Sequence, residues 1–153
     1  MQPSEARARE TREWLVKAAE DLAAAHVLIG SKHFSGALFF CQQVAEKSLK
    51  AFLTWHDRTF RRTHDLEELG KECQAIDGTL AALLEEADVL SYYAWKLRYP
   101  GAPYTPEREE AEAMFGIADR VPRDVQSRLP LEQTISEDHG DNQSSSPSEF
   151  KET

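Results

Sequence analysis

The sequence predicts an all-α protein: an up-and-down bundle of four to five helices, followed by a disordered acidic tail. Three observations support this class. Apolar residues recur at three- and four-residue steps up to about residue 129, no segment alternates convincingly with a period of two, and prolines and glycines separate the periodic stretches. With 153 residues, one domain is expected at residues 1–130 and the tail at 131–153.

The first predicted helix covers residues 5–29 and has a single apolar stripe, which Trp14 widens. Gly30 and Ser31 are expected to end it. Asp21 lies within this helix and is interpreted as a residue that pairs across to the second helix. The stripe consists of Leu15, Ala18, Leu22, Ala25 and Ile29.

The second predicted helix, at about 33–56, repeats the apolar pattern and has a polar side that includes Lys47 and Lys50. Glu46 precedes Lys50 by four residues, which is the favourable order for an ion pair on a helix surface. This polar side is therefore predicted to be a charged helix face. The apolar positions are Phe34, Ala37, Leu38, Cys41, Val44, Ala45, Leu49, Phe52 and Leu53.

Turn residues delimit the remaining helices. Asp65, with Glu68 three residues later, predicts the start of a third helix that runs to about Ile76. After the break at residues 77–78, a fourth helix is predicted through TLAALLEEADVLSYYAWKLRY to Tyr99.

The stretch PGAPYTP predicts a loop, because three prolines and a glycine cannot continue a helix. Thr105 as N-cap and Pro106 as the first helical residue then predict a fifth helix to about Leu129.

Charge is distributed unevenly along the chain. The formal net charge is −9, and residues 131–153 contribute six acidic residues against one lysine. This charge argues against broad non-specific DNA binding, but Arg58, Arg61 and Arg62 form a local basic cluster that could hold one phosphate.

No apolar run reaches the length of a membrane span, and a cytoplasmic protein without a membrane partner is expected. Cys41 and Cys73 fall inside predicted helices and are interpreted as core residues. The histidines lack the spacing of metal ligands, so neither a metal nor another cofactor is predicted.

Three stretches together resemble the HEPN domain: WLVKAAEDLAAAHVLI (14–29), CQQVAEKSLKAFL (41–53) and RTHDLEEL (62–69), followed by LRYPG (97–101). The resemblance implies a four- or five-helix bundle, usually a homodimer, in a small prokaryotic protein often encoded beside a minimal nucleotidyltransferase. Some family members are metal-independent ribonucleases, several of them toxins of toxin–antitoxin pairs, with an Arg-x4-6-His motif near the start of a late helix. Others lack the motif and bind nucleotides or act as partner proteins.

Arg58 and His64 match the spacing of that motif, and their side chains suit the chemistry. A histidine can transfer the protons of RNA cleavage, and an arginine can stabilise charge on the phosphorus. They lie, however, in a connector. The arginine nearest the family's later position is Arg98, and residues 103–105 are proline, tyrosine and threonine. A non-catalytic module is therefore preferred, with a metal-independent endoribonuclease as the alternative.

The candidate ligands of a nucleotide or RNA phosphate are basic residues and one aromatic residue. Each has a plainer interpretation: a charged helix face, a solvated loop, or, for His64, a helix-entry residue packed on the preceding helix. Tyr99 also continues an aromatic stripe with Tyr92 and Trp95 that is typical of a core or a dimer seam. A protein that only assembles is a third hypothesis. The candidates are Lys47, Lys50, Arg61, Arg62, His64, Arg98 and Tyr99.

Overall fold

The computed structural model describes residues 4–97, 100 and 105–131, and only the backbone of residues 94 and 95. All regular structure in this part of the chain is helical, which confirms the all-α class. A single 3₁₀ turn, Gly78–Leu80, precedes the fourth α-helical segment. The segments are α1 Glu5–Gly30, α2 Phe34–Trp55, α3 Leu66–Ile76, α4 Ala81–Ala87, α5 Val89–Lys96 and α6 Arg108–Ser127.

Helix α2 is the centre of the bundle and packs against α1, α3, α5 and α6. Its predicted apolar positions are buried, apart from the half-buried Phe34. The predicted stripe of α1 faces the same core, with Leu22 and Trp14 half-buried at its margin. Both cysteines are buried in the core as expected. Periodicity therefore predicted the packing faces of both long helices.

Helices α1 and α2 are each followed, two residues after their last helical residue, by a residue with left-handed backbone: Lys32 at φ 63° and Asp57 at φ 56°. After each of them, the next amide turns back to a carbonyl of the last helical turn. His33 N–H donates to Leu28 O at 2.8 Å, and Arg58 N–H donates to Leu53 O at 2.9 Å. The predicted end of the first helix at Gly30 and Ser31 is confirmed, since Gly30 is the last helical residue and Ser31 is the C-cap.

The predicted fourth helix is interrupted. It begins as the 3₁₀ turn and breaks at Asp88, where Ser91 N–H donates to Asp88 O at 3.1 Å in a tighter i+3 bond. Helix α6 also starts later than predicted. Pro106 is buried instead of opening the helix, and Glu107 occupies the N-cap position without a side-chain cap.

The two ends of the bundle are distinct. At the upper end, Ala111 of α6 packs with Ile29 and Ala37. At the lower end, Arg7 of α1 lies 3.6 Å from Asp57. Of the helices that the structure describes, none has the length and apolar character needed to span a membrane.

Candidate functional site

The segment between α2 and α3, residues 56–65, turns back and runs up along α2; it is called the connector below. Its lower part is held by Phe60, whose ring centroid lies 6.3 Å from that of Trp14 on α1 in an edge-to-face contact. Its upper part reaches α2, where Gln42 Nε2 donates to the backbone carbonyl of His64 at 3.1 Å. The connector therefore lays the arginine-rich stretch of the sequence over α1 and α2.

His64 is exposed but held in place. Its Nδ1 lies 2.6 Å from Glu46 Oε1, and the exposed fraction is 66% for the His64 side chain but only 3% for that of Glu46. With the Glu46 carboxylate as the acceptor of this contact, Nδ1 carries the hydrogen and Nε2 is the nitrogen left for a ligand. Asp65 caps α3 as predicted, with Oδ1 accepting from Glu67 N–H at 2.9 Å.

The same carboxylate also neutralises Lys50. Lys50 Nζ lies 3.8 Å from Glu46 Oε1, 5.4 Å from the ring centroid of Trp14 and 5.8 Å from that of Phe60. Only 8% of Lys50 and 2% of Glu46 are exposed. The predicted ion pair is present, but its expected position on a solvated helix face is wrong, because the folded-back connector covers that face.

Lys47 is likewise engaged. Its ammonium group contacts Asp21 of α1, and both side chains are largely buried. The interpretation of Asp21 as a residue that pairs across to the second helix is therefore confirmed. The structure thus places Lys50 beneath the connector and Lys47 against α1, and each ammonium is already balanced by a carboxylate.

The connector arginines differ in their partners. Arg61 makes two bonds to Glu68, at 3.0 and 3.2 Å, and this hydrogen bonding raises the pKa of the Arg61 guanidinium. Arg58 and Arg62 are exposed, and neither makes an ion pair within the part of the chain that the structure describes. Their guanidinium groups are available to an anion.

Arg58 and His64 are anchored at different heights on α2. The Arg58 amide is bonded to Leu53 O, whereas the His64 ring is bonded to Glu46. Seven residues of helix separate these anchors by about 10 Å. Arg58 lies near His56, whose pKa is lowered first by burial and further by the charge of Arg58.

The second group of predicted residues cannot be placed. Arg98 and Tyr99 lie outside the described residues, as do residues 101–104, on which part of the predicted loop falls. Of the predicted aromatic stripe, Tyr92 is 51% exposed, and its hydroxyl accepts a hydrogen bond from Lys96 at 2.8 Å.

Sequence reasoning missed three residues of this site: Gln42, Trp14 as a partner of Lys50, and Phe60. Gln42 carried a signal, because it falls four residues after Leu38 and three before Ala45 on the apolar side of α2. A polar residue at a core position indicates a specific hydrogen bond. Phe60 carried none, since the path of a connector cannot be read from periodicity.

Comparisons with known proteins agree on one family. The family model described as HEPN domain matches residues 11–128. The crystal structure of TT1696 from Thermus thermophilus is 30% identical with a TM-score of 0.68, covering 78% of this chain and 98% of that one. ST0689, an archaeal HEPN homologue, is 24% identical with a TM-score of 0.65, covering 78% of this chain and 97% of that one. Among curated proteins, none matches in sequence. The chain belongs to the HEPN domain family.

Proposed function

We propose that this chain is a cytoplasmic, non-catalytic HEPN module that binds the phosphate groups of a nucleotide along the outer side of its connector. It would work as a homodimer or beside a nucleotidyltransferase partner. One observation supports the proposal most: the connector presents the exposed His64 ring and two arginines that make no ion pair with any described residue, while a buried carboxylate holds the ring in place.

The available groups suit phosphate. A guanidinium supplies planar donors that match phosphate oxygens, and the imidazole adds a further donor when it is protonated. Arg58 and Arg62 would be the direct ligands together with His64. Lys47 and Lys50 would instead have structural roles, Lys47 joining α2 to α1 and Lys50 supporting the connector, because their charges are already balanced by Asp21 and Glu46.

RNA cleavage is less well supported than phosphate binding, for a chemical reason. Cleavage of RNA needs a fixed cation beside the proton-transferring groups. The His64 ring pairs with Glu46, Arg61 pairs with Glu68, and Arg58 is anchored about 10 Å from Glu46 along α2. The sequence also lacks a histidine five to seven residues after Arg98.

One observation nevertheless favours a metal-independent ribonuclease as the second candidate. A carboxylate at 2.6 Å from Nδ1 fixes the ring tautomer and leaves Nε2 as a base, which is how many catalytic histidines are oriented. In that case His64 would transfer the proton and a connector arginine would stabilise the phosphorus.

The experiment titrates the full chain with ATP by calorimetry. Loss of one charged hydrogen bond costs about 1.5 kcal/mol, so Arg62→Gln is expected to weaken binding about tenfold. The matched control is Lys32→Gln at the upper end, where Lys32 is exposed and makes no ion pair within residues 4–97 and 105–131; this variant should bind like the wild type. Equal affinities in all three proteins, or no binding by any, would refute the phosphate site.

The same proteins decide between the two candidates. They are incubated with a mixed-sequence RNA in EDTA, beside His64→Ala and Arg58→Ala variants prepared identically. Intact RNA in every sample is expected. Cleavage by the wild type that both alanine variants lose would establish the ribonuclease instead.

A further inference from the structure

Most cations of the described chain are balanced by a carboxylate, and the exceptions are not scattered. Four exposed lysines or arginines make no ion pair among the described residues: Arg9, Lys32, Arg58 and Arg62. Only Lys32 lies at the upper end. Of the other three, Arg9 lies near the start of α1, and Arg58 and Arg62 lie on the connector; these three are called the arginine face.

The acidic tail leaves the bundle at the same lower end. Leu131, its last described residue, is 7% exposed and packs in the core. Just before it, Arg128 of α6 lies 3.3 Å from Asp77, the residue that follows α3. Asp77 in turn acts electrostatically on His56, at the start of the connector. Leu131 therefore lies on the side of the molecule where the connector begins.

The tail has the charge and the length to reach the arginine face. Residues 132–153 contain six acidic residues and one lysine. Helix α6 packs against both α1 and α2, so one or two helix spacings, about 10–20 Å, separate its end from the arginines. By random-coil scaling, a chain of about six to ten residues spans roughly 13–18 Å. Counted from Leu131, that length corresponds to Glu137, Asp138 and Asp141.

We propose that the acidic tail at 132–153 docks on the arginine face of its own chain. The carboxylates of its first acidic group would pair with Arg58 and Arg62, which otherwise face solvent on a protein of net negative charge. A tethered partner acts at millimolar effective concentration, so even weak pairs are populated. The tail would then compete with a bound phosphate, a consequence that rests on the function proposed above.

The docking itself is tested without a ligand. Ser136→Cys carries a neutral nitroxide spin label in the full ¹⁵N-labelled chain. Cys41 and Cys73 should stay unlabelled, because they are fully buried and burial raises the pKa of each thiol to about 12. We expect the amides of residues 58–62 to lose at least half of their intensity relative to the reduced sample, while those at 31–36 do not.

Two controls test whether the contact is ionic. Arg58→Gln combined with Arg62→Gln should restore the intensities, whereas Lys32→Gln should leave the broadening in place. In 1 M salt, where the screening length is about 3 Å, the broadening should vanish. Broadening that is uniform, absent or insensitive to the two arginines would overturn the proposal.

A mixed sample tests whether the docking is intramolecular. Spin-labelled chains at natural isotope abundance are mixed with equal amounts of ¹⁵N-labelled chains without a spin label. No broadening is expected there, and broadening of residues 58–62 would show that the tail docks on another copy, which also overturns the proposal.

The competition is tested separately with inorganic tripolyphosphate. The full chain carrying E137Q, D138N and D141N is expected to bind it about three to ten times more tightly than the wild type. If the spin label reports docking and neither protein binds tripolyphosphate, the proposed function fails while the docking stands. If both proteins bind it equally, the tail does not compete.

Discussion

At the scale of single residues, Glu46 decides the geometry of the site. Its buried carboxylate oxygen serves two partners, the ring of His64 at 2.6 Å and the ammonium of Lys50 at 3.8 Å. The rings of Trp14 and Phe60 cover Lys50, so the connector and the first two helices meet at one charge pair. A buried charge pair is costly to break because the remaining partner keeps its desolvation penalty.

A double-mutant cycle measures this coupling. Glu46→Gln or Lys50→Met alone leaves one buried charge unbalanced, and each is expected to lower the free energy of unfolding by about 3 kcal/mol. The double variant removes both charges and should lose about 1 kcal/mol or less, which is a strongly non-additive result. Urea unfolding of the four proteins gives the coupling energy.

The matched control is the pair Glu67 and Lys71, which has the same spacing on α3 but side chains that are 62% and 74% exposed. Water screens such a pair, so Glu67→Gln and Lys71→Met should combine additively. Additivity in the Glu46 and Lys50 cycle as well would contradict the structural role assigned to Lys50.

At the scale of elements, the helices were predictable and the connector was not. The apolar stripes of α1 and α2 and the cap at Asp65 are local patterns, and each is found where the sequence placed it. The path of the connector depends on Phe60 and His64 contacting distant residues. No local pattern encodes such contacts, and this is why Lys50 was interpreted as a surface cation.

Helix α6 offers a prediction about helix propensity. Gly116 lies in its interior and is exposed, and a Cβ built there would meet nothing within 4 Å. Gly116→Ala is therefore expected to raise the free energy of unfolding by about 1 kcal/mol, because glycine is the poorer helix former by that amount. Thermal or urea unfolding measures the change.

Gly36 in α2 provides the comparison. A Cβ there would lie 3.2 Å from a terminal methyl of Leu28, so that side chain must give way. Gly36→Ala should thus stabilise the protein less than Gly116→Ala. If Gly36→Ala stabilised the protein more than Gly116→Ala, the contact with Leu28 would not oppose the gain in helix propensity.

At the scale of the whole molecule, long-range contacts at the lower end close the bundle. Arg128, after the end of α6, donates to Thr79 Oγ1 at 3.2 Å and lies 3.3 Å from Asp77. These contacts join the last helix to the turn between α3 and α4 across about fifty residues of sequence. They also set the side from which the acidic tail departs.

The stability that the contacts of Arg128 with Asp77 give to the end of α6 depends on pH. Hydrogen bonds from Thr79, aided by the charge of Arg128, hold the pKa of Asp77 below its usual value of 3.8. A carboxyl group whose pKa is lowered in the folded state stabilises that state fully at pH values above the group's ordinary pKa. This stabilisation is lost as the pH falls through the lowered pKa. Arg128→Met is therefore expected to speed amide exchange of residues 125–131 several-fold at pH 7. Below the lowered pKa the difference between the wild type and the variant should become smaller, and the bonds of Arg128 to Thr79 account for what remains.

Arg123→Met is the matched control, because Arg123 lies on the same helix and pairs only with Asp119, four residues away, with a side chain that is 76% exposed. In Arg123→Met, the amide exchange rates of residues 125–131 should equal those of the wild type at every pH. Since Arg128, unlike Arg123, bridges distant segments, a similar acceleration in both variants would mean that the end of α6 depends on its own surface pairs. The tail would then leave the bundle from a frayed helix end instead of from a fixed one.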